Sequence, residues 1–168
     1  RAVLKWPRGH AKSTNIDVTI PMWLKCQEKP EFHFMVLVGK SEEAAMTLLG
    51  ALQAEFQYNQ RYIRDFGRQV NVGTWKEGSF ITSDDCAFFA LGRGQSPRGL
   101  RHRNYRPDYI VIDDLDDDEL SQNEERVRKT ADWVTDALFG AFGASGGRFI
   151  MVGNLISKCS VLELISKK

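Results

Sequence analysis

Lys12-Ser13 follows an apolar run, Ala2–Trp6, and a turn opened by Pro7. A lysine beside a hydroxyl at the start of a helix is what a phosphate cradle needs. Backbone N–H groups curl around the phosphates, the ammonium reaches the β/γ oxygens, and the hydroxyl holds Mg2+. The usual cradle has glycine six and one residues before that lysine; Trp6 and Ala11 stand there instead. A literal Gly-Lys-Ser occurs elsewhere, at Gly39-Lys40-Ser41. There the preceding residues, Phe34–Val38, are needed as a strand, so no loop remains to form a cradle and the tripeptide reads as a strand end and helix cap. Pro7–Ala11 is long enough to be a loop: Gly9 can take a positive φ, Ala11 is small, and Arg8 adds positive charge. Alone, this stretch reads equally as an ordinary strand–turn–helix.

Carboxylates provide the second element. Asp113 and Asp114 follow the apolar run Tyr109–Ile112. One carboxylate at such a strand end can enter a Mg2+ shell, and its neighbour can act as base toward water. The bland alternative is a solvated acidic loop, and that is the reading taken for Asp116–Glu119, because acidic residues favour helix N-termini. A calcium loop is excluded by the missing glycine and distal glutamate. Asn154, after Gly153, is either a turn residue or a group that senses a terminal phosphate. Arg98, Arg101, Arg103 and Arg106 lie in the stretch Gly92–Pro107, expected to be flexible. They read as a solvated loop, as contacts to DNA phosphates, or as a source of an arginine finger for a neighbouring subunit.

These residues must be positioned by elements, and the periodicity supplies them. Ala2–Trp6 reads as a strand, and a helix starts at Lys12 and is interrupted or ended near Pro21. Phe32–Val38 is a continuous apolar run, as in a strand buried on both faces. Ser41 caps a helix reaching Asn59, with Ala45, Leu48, Leu49, Leu52 and Phe56 on its apolar face. Val72–Gly92 alternates short apolar runs with turn residues and predicts antiparallel hairpins inserted into the fold. Tyr109–Ile112 predicts a buried strand. Ser121–Phe142 predicts a long helix opened by a Ser121/Glu124 capping box, with Val127, Ala131, Val134, Leu138 and Ala141 inward. Arg148–Asn154 predicts a strand and Val161–Ile165 the start of a last helix. The order predicts an α/β fold with a mainly parallel sheet, in which ligands sit at the carboxyl ends of strands.

Composition narrows the classes. The 168 residues suit one domain, and 42% hydrophobic with 27% charged residues excludes disorder. A net charge of +1 advertises no global field for a polyanion, so any such site is a local patch. Cys26, Cys86 and Cys159 form neither metal-ligand spacing nor a disulfide framework and read as thiols in a reducing compartment. No apolar run approaches the ~18 residues of a membrane span, and no signal peptide is evident. The chain lacks an initiator Met and reads as a piece of something longer.

Taken together, Pro7–Thr14, Arg64–Gly67, Ser96–Arg101, Arg106–Glu119 and Phe149–Asn154 resemble the ATPase domain of the large terminase subunit of tailed bacteriophages, in order and over the whole chain. In that family a deviant phosphate loop with an Arg before the Lys is normal. The resemblance implies a RecA-like P-loop NTPase fold of the ASCE type with a small antiparallel hairpin insertion, hydrolysing ATP with Mg2+ to drive double-stranded DNA into a procapsid. It implies ATP binding by Arg8, Gly9, His10, Ala11, Lys12, Ser13 and Thr14, Mg2+ held through Ser13 and Asp113, Asp114 as catalytic carboxylate, Arg98 as inter-subunit finger, and Gly153-Asn154 as coupling motif. The implied partners are double-stranded DNA, the portal protein, the small terminase subunit and further copies in a ring, in the cytoplasm of an infected bacterium. Asp114 departs from the glutamate common in the family and is one methylene shorter. The upstream adenine-contacting segment and downstream nuclease domain are expected outside residues 1–168, so this chain is expected to lack nuclease activity. Two rival classes remain: a helicase-like ATPase acting on nucleic acid, and a nucleotide-binding assembly module without turnover.

Overall fold

Apolar runs become the centre of the sheet. The computed structural model describes residues 1–29, 31–157 and 159–168. Its strands are β1 (Ala2–Lys5), β2 (Phe34–Gly39), β3 (Val70–Lys76), β4 (Ser79–Thr82), β5 (Ala87–Gly92), β6 (Tyr109–Asp113) and β7 (Arg148–Gly153). They form one seven-stranded sheet in the order β1-β7-β6-β2-β5-β4-β3. Neighbours from β1 through β5 pair parallel, and β4 and β3 add antiparallel at one edge. Every residue of β2 and β6 is buried, as a strand covered on both faces requires.

Helices cover the two faces. Phe34, Val36 and Val38 alternate with Met35 and Leu37 along β2 and feed two separate cores. One core is closed by α2 (Glu42–Tyr58), through Ala45, Leu49, Leu52 and Phe56, together with Ile16 and Leu24. The other is closed by α5 (Glu124–Trp133) and α6 (Val161–Lys167), with Leu120 of the short α4 (Asp118–Ser121) beneath. The fold is therefore α/β, with a mostly parallel mixed sheet flanked by helices. A short α3 (Gln60–Phe66) follows α2, capped by Asn59. Close packing fixes the ends of β2 and β5. A Cβ on Gly92 would stand 2.6 Å from the Glu42 backbone nitrogen, so only glycine lets the N-terminus of α2 approach the sheet there.

Several expectations are corrected. The helix begun at Lys12 does not stop at Pro21. It runs as a π-helix over Thr14–Thr19 and passes directly into α1 (Ile20–Lys25). Pro21 has no N–H to donate to the preceding turn, and it directly follows the π-stretch, where the regular α ladder is already interrupted. Ser121 caps nothing: it ends α4, and the cap of α5 is Asn123, whose side chain accepts from Arg126 N at 3.0 Å. Helical turns then continue as a π-stretch, Val134–Leu138, and a 3-10 turn, Phe139–Ala141. The antiparallel hairpins expected over Val72–Gly92 are present, β3 with β4 and β4 with β5, but their last strand also belongs to the parallel sheet. β5 pairs parallel with β2 inside the sheet, and only β3 and β4 extend the edge. Gly92–Pro107, expected to be flexible, is pinned. Arg93 donates to the Leu115 carbonyl (3.0 Å) and Asp117 (2.9 Å), and His102 and Tyr105 exchange backbone hydrogen bonds.

Candidate phosphate-loop site

The strand order decides which loops meet. β7 lies between β1 and β6, so the turn after β1 and the carboxylates after β6 emerge at the same end of the sheet, on either side of Gly153-Asn154. Backbone hydrogen bonds tie the three ends together: Trp6 N donates to the Gly153 carbonyl (3.0 Å) and Asp114 N to the Val152 carbonyl (3.1 Å).

The loop itself is built from its own side chains. Trp6 Nε1 donates to the His10 carbonyl at 3.1 Å, and His10 Nδ1, in its protonated tautomer, donates to the Arg8 carbonyl at 2.8 Å. Gly9 has φ +77° and Ala11 φ +53°. Ala11 thus adopts, with a Cβ, the left-handed conformation that a glycine would adopt at lower cost. Asn15 Nδ2 returns to the Ala11 carbonyl (2.9 Å) and fixes the entry into the helix. Arg8, His10 and Thr14 are exposed.

Lys12, by contrast, is buried. Its Nζ lies 2.6 Å from Asp113 Oδ1 and also contacts Asp114. The angles leave Nζ without a well-directed hydrogen bond, so this is a charge contact. Ser13 Oγ donates to the other Asp113 oxygen at 2.6 Å. Asp113 is buried, whereas the Asp114 side chain is half exposed and its backbone is left-handed, with φ +44°. That conformation turns the Asp114 carboxylate out of the strand line and toward the loop. Arg8, Ser13, Asp113, Asp114 and Asn154 line a common cleft of about 460 Å³, together with Lys40. The buried Oδ1 of Asn154 has no partner among the described residues.

A Ser hydroxyl beside a carboxylate, with a lysine on the same carboxylate, is a donor set suited to Mg2+ completed by phosphate oxygens and water. Among the described residues no group of three His, Cys, Asp or Glu side chains could hold a metal by itself. The orphaned Asn154 oxygen marks a further polar position facing the same space. Arg98 is exposed and does not line this cleft; its backbone N–H only reaches Ser96 Oγ at 3.3 Å.

No protein-family model matches this sequence, and no curated protein matches it.

Two groups escaped sequence reasoning. Asp17 is 1% exposed, and among the described residues neither carboxyl oxygen has a conventional partner. Its polar neighbour is another carboxyl, Asp113, so that contact is a hydrogen bond only when one of the two is protonated. Burial pushes the Asp17 carboxyl up to about 9, and the charge of Asp113 adds to this while Lys12 opposes it. Asp17 is therefore the protonated partner, supporting Asp113 from behind. Asp116 was read as solvated and is instead buried. It accepts from the backbone of Val161 (2.8 Å) and Leu162 (3.0 Å), capping α6 jointly with Ser160. Burial raises its carboxyl above the usual range, against the pull of those two N–H groups. Asp117 does cap a helix as expected, accepting from Leu120 N at 2.7 Å.

Proposed function

We propose that this chain is an Mg2+-dependent ATPase of the RecA-like P-loop type, the hydrolytic unit of a large-terminase motor that drives double-stranded viral DNA into a procapsid. One observation carries the ATPase reading: Lys12 and Ser13, from the turn after β1, meet Asp113 from the end of β6 across an intervening strand. The motor assignment rests on the sequence resemblance.

The roles follow from each group's surroundings. Lys12 exchanges the two carboxylates for phosphate oxygens when a nucleotide arrives, because one ammonium cannot serve both. Ser13 Oγ and Asp113 would hold the metal, which when bound would offset charge on the phosphates. Asp114, half exposed at the cleft, orients water and accepts its proton. The exposed Arg8 offsets charge on the transferred phosphoryl group, and Asn154, whose Nδ2 can donate to the terminal phosphate while its Oδ1 accepts from a water, reports that phosphate to the segment after β7. Gly9, His10, Ala11 and Thr14 contribute backbone and side-chain polar groups of the cradle. Arg98, remote from its own cleft, acts in a neighbouring copy of a ring. The portal protein and the small terminase subunit are the assembly partners, in the cytoplasm of the infected host. Among the described residues no helix is long and apolar enough to cross a membrane.

The test is steady-state ATP turnover of the wild type against Lys12→Ala and Asp114→Asn, with DNA and over a range of protein concentration. Lys12→Ala is expected to abolish nucleotide binding. Asp114→Asn is expected to keep binding and lose turnover by about 10²–10⁴-fold. Turnover indifferent to both changes refutes the site.

A further inference from the structure

Among the described residues a cavity larger than the phosphate-loop cleft lies elsewhere. It measures about 890 Å³ and lies at the opposite, N-terminal ends of β2, β6 and β7. Its wall is the stretch before β6, with Arg101, Tyr105 and Arg106, and its floor is the turn 143–147. That turn is drawn tight beneath β6. A Cβ on Gly147 would stand 2.6 Å from the Asp108 carbonyl, which also accepts from Arg148 N at 2.8 Å.

Charge accounting shows which groups remain available. Arg148 is consumed by Glu31, through both its carboxylate and its carbonyl. Asp108 is saturated by the backbone of His33 (2.9 Å) and Phe34 (2.8 Å) and by the His33 ring (3.1 Å). Asp85 takes His102 and Arg103, each at 3.0 Å. Arg101 and Arg106 are left exposed, with no ion pair among the described residues. Between them, the Tyr105 ring stacks on His33 with centroids 4.1 Å apart and planes within 3°, and remains 40% exposed. Free guanidinium groups flanking a rigid aromatic plate recur where proteins hold a polynucleotide: charge tracks the backbone and the ring offers a stacking face.

We propose that this cavity is a nucleic-acid backbone site, in which Arg101 and Arg106 contact successive phosphodiesters beside the Tyr105–His33 plate. It does not depend on the phosphate loop and is measurable without ATP.

The experiment is fluorescence-anisotropy titration of a labelled single-stranded oligonucleotide and of a matched duplex at several salt concentrations. Arg101→Gln/Arg106→Gln is expected to weaken binding by roughly tenfold or more. It should also flatten the log–log salt slope by about 1.4 for single strands or about 1.8 for duplex. The control Arg61→Gln/Lys76→Gln removes the same charge from exposed positions elsewhere and is expected to change little. Tyr105→Leu separates the two forms of the ligand, weakening single-strand binding about tenfold if a base stacks and leaving duplex binding intact. Equal losses in the Arg pair and its control overturn the proposal, because the attraction is then diffuse. Displacement of the oligonucleotide by submillimolar inorganic phosphate also overturns it, because the cavity then takes a small anion.

Discussion

Removing Lys12 should cost stability as well as activity, and the structure sets the size. Its ammonium faces Asp113, whose side chain is 1% exposed, and Asp114, whose side chain is 49% exposed. Breaking a buried pair by deleting one partner costs about 3–5 kcal/mol, because the other charge stays buried without compensation. The half-exposed partner adds at most about 1 kcal/mol. Lys12→Ala is therefore expected to lose about 3–5 kcal/mol, a fall in Tm of roughly 6–20 °C at this chain length. Ser13 remains as the one hydroxyl donor to Asp113. The decisive comparison is the double variant Lys12→Ala/Asp113→Asn, which removes the stranded charge and should recover at least half of the loss. Urea denaturation at pH 7 of wild type, both single variants and the double variant gives the coupling directly. A single variant within about 1 kcal/mol of wild type, or a double variant no better than the single one, would mean that Lys12 does not rest on these carboxylates.

Two other outcomes follow from the same neighbourhood. The folded pKa of Asp17 lies above its ordinary 3.8, so the folded chain keeps a proton that the unfolded chain releases. Its destabilising effect is absent below about pH 4 and grows as pH rises toward about 9. Asp17→Asn, which still offers a donor to Asp113, should make the chain more stable at pH 8 than at pH 5 relative to wild type, read from denaturation midpoints; parallel pH profiles refute it. Ala11→Gly should relieve about 1–2 kcal/mol of left-handed strain against a loss of about 0.5–1 kcal/mol in chain entropy. Calorimetry should show Tm unchanged or raised by up to about 6 °C, and a fall in Tm would show that the loop does not hold its φ of +53°.

The site was legible where chemistry sits at strand ends. Lys12, Asp113 and Asn154 each follow an apolar run, and that pattern alone places them at one end of a parallel sheet. Asp17 was not legible, because a lone aspartate in a helix expected to break at Pro21 looks solvated. The π-stretch over Thr14–Thr19 changes which residues face the sheet, and no local signal marks it. Asp116 escaped because its partners, Val161 and Leu162, are 45 and 46 residues away. β5 was recoverable: Ala87–Leu91 is an unbroken apolar run, the mark of an interior strand, but the turn residues around it suggested a hairpin. The misplaced cap at Ser121 reflects two competing signals, because Asn123 is as good a cap and lies one residue before Glu124.

The position of β1 has a consequence for affinity. The strand that carries the candidate phosphate loop is the outermost of its side, four residues long, half buried, and among the described residues paired only with β7. Strands of this kind fray at a free energy well below that of global unfolding. When β1 frays, Lys12 leaves Asp113 while the interior strands stay folded. On the proposed ATPase reading, nucleotide affinity would be the intrinsic value reduced by the fraction of molecules in which β1 is docked. On that reading, a chain segment that adds a strand to the outer edge of β1 would tighten nucleotide binding without touching the nucleotide, and by the same linkage bound nucleotide would hold that segment in place.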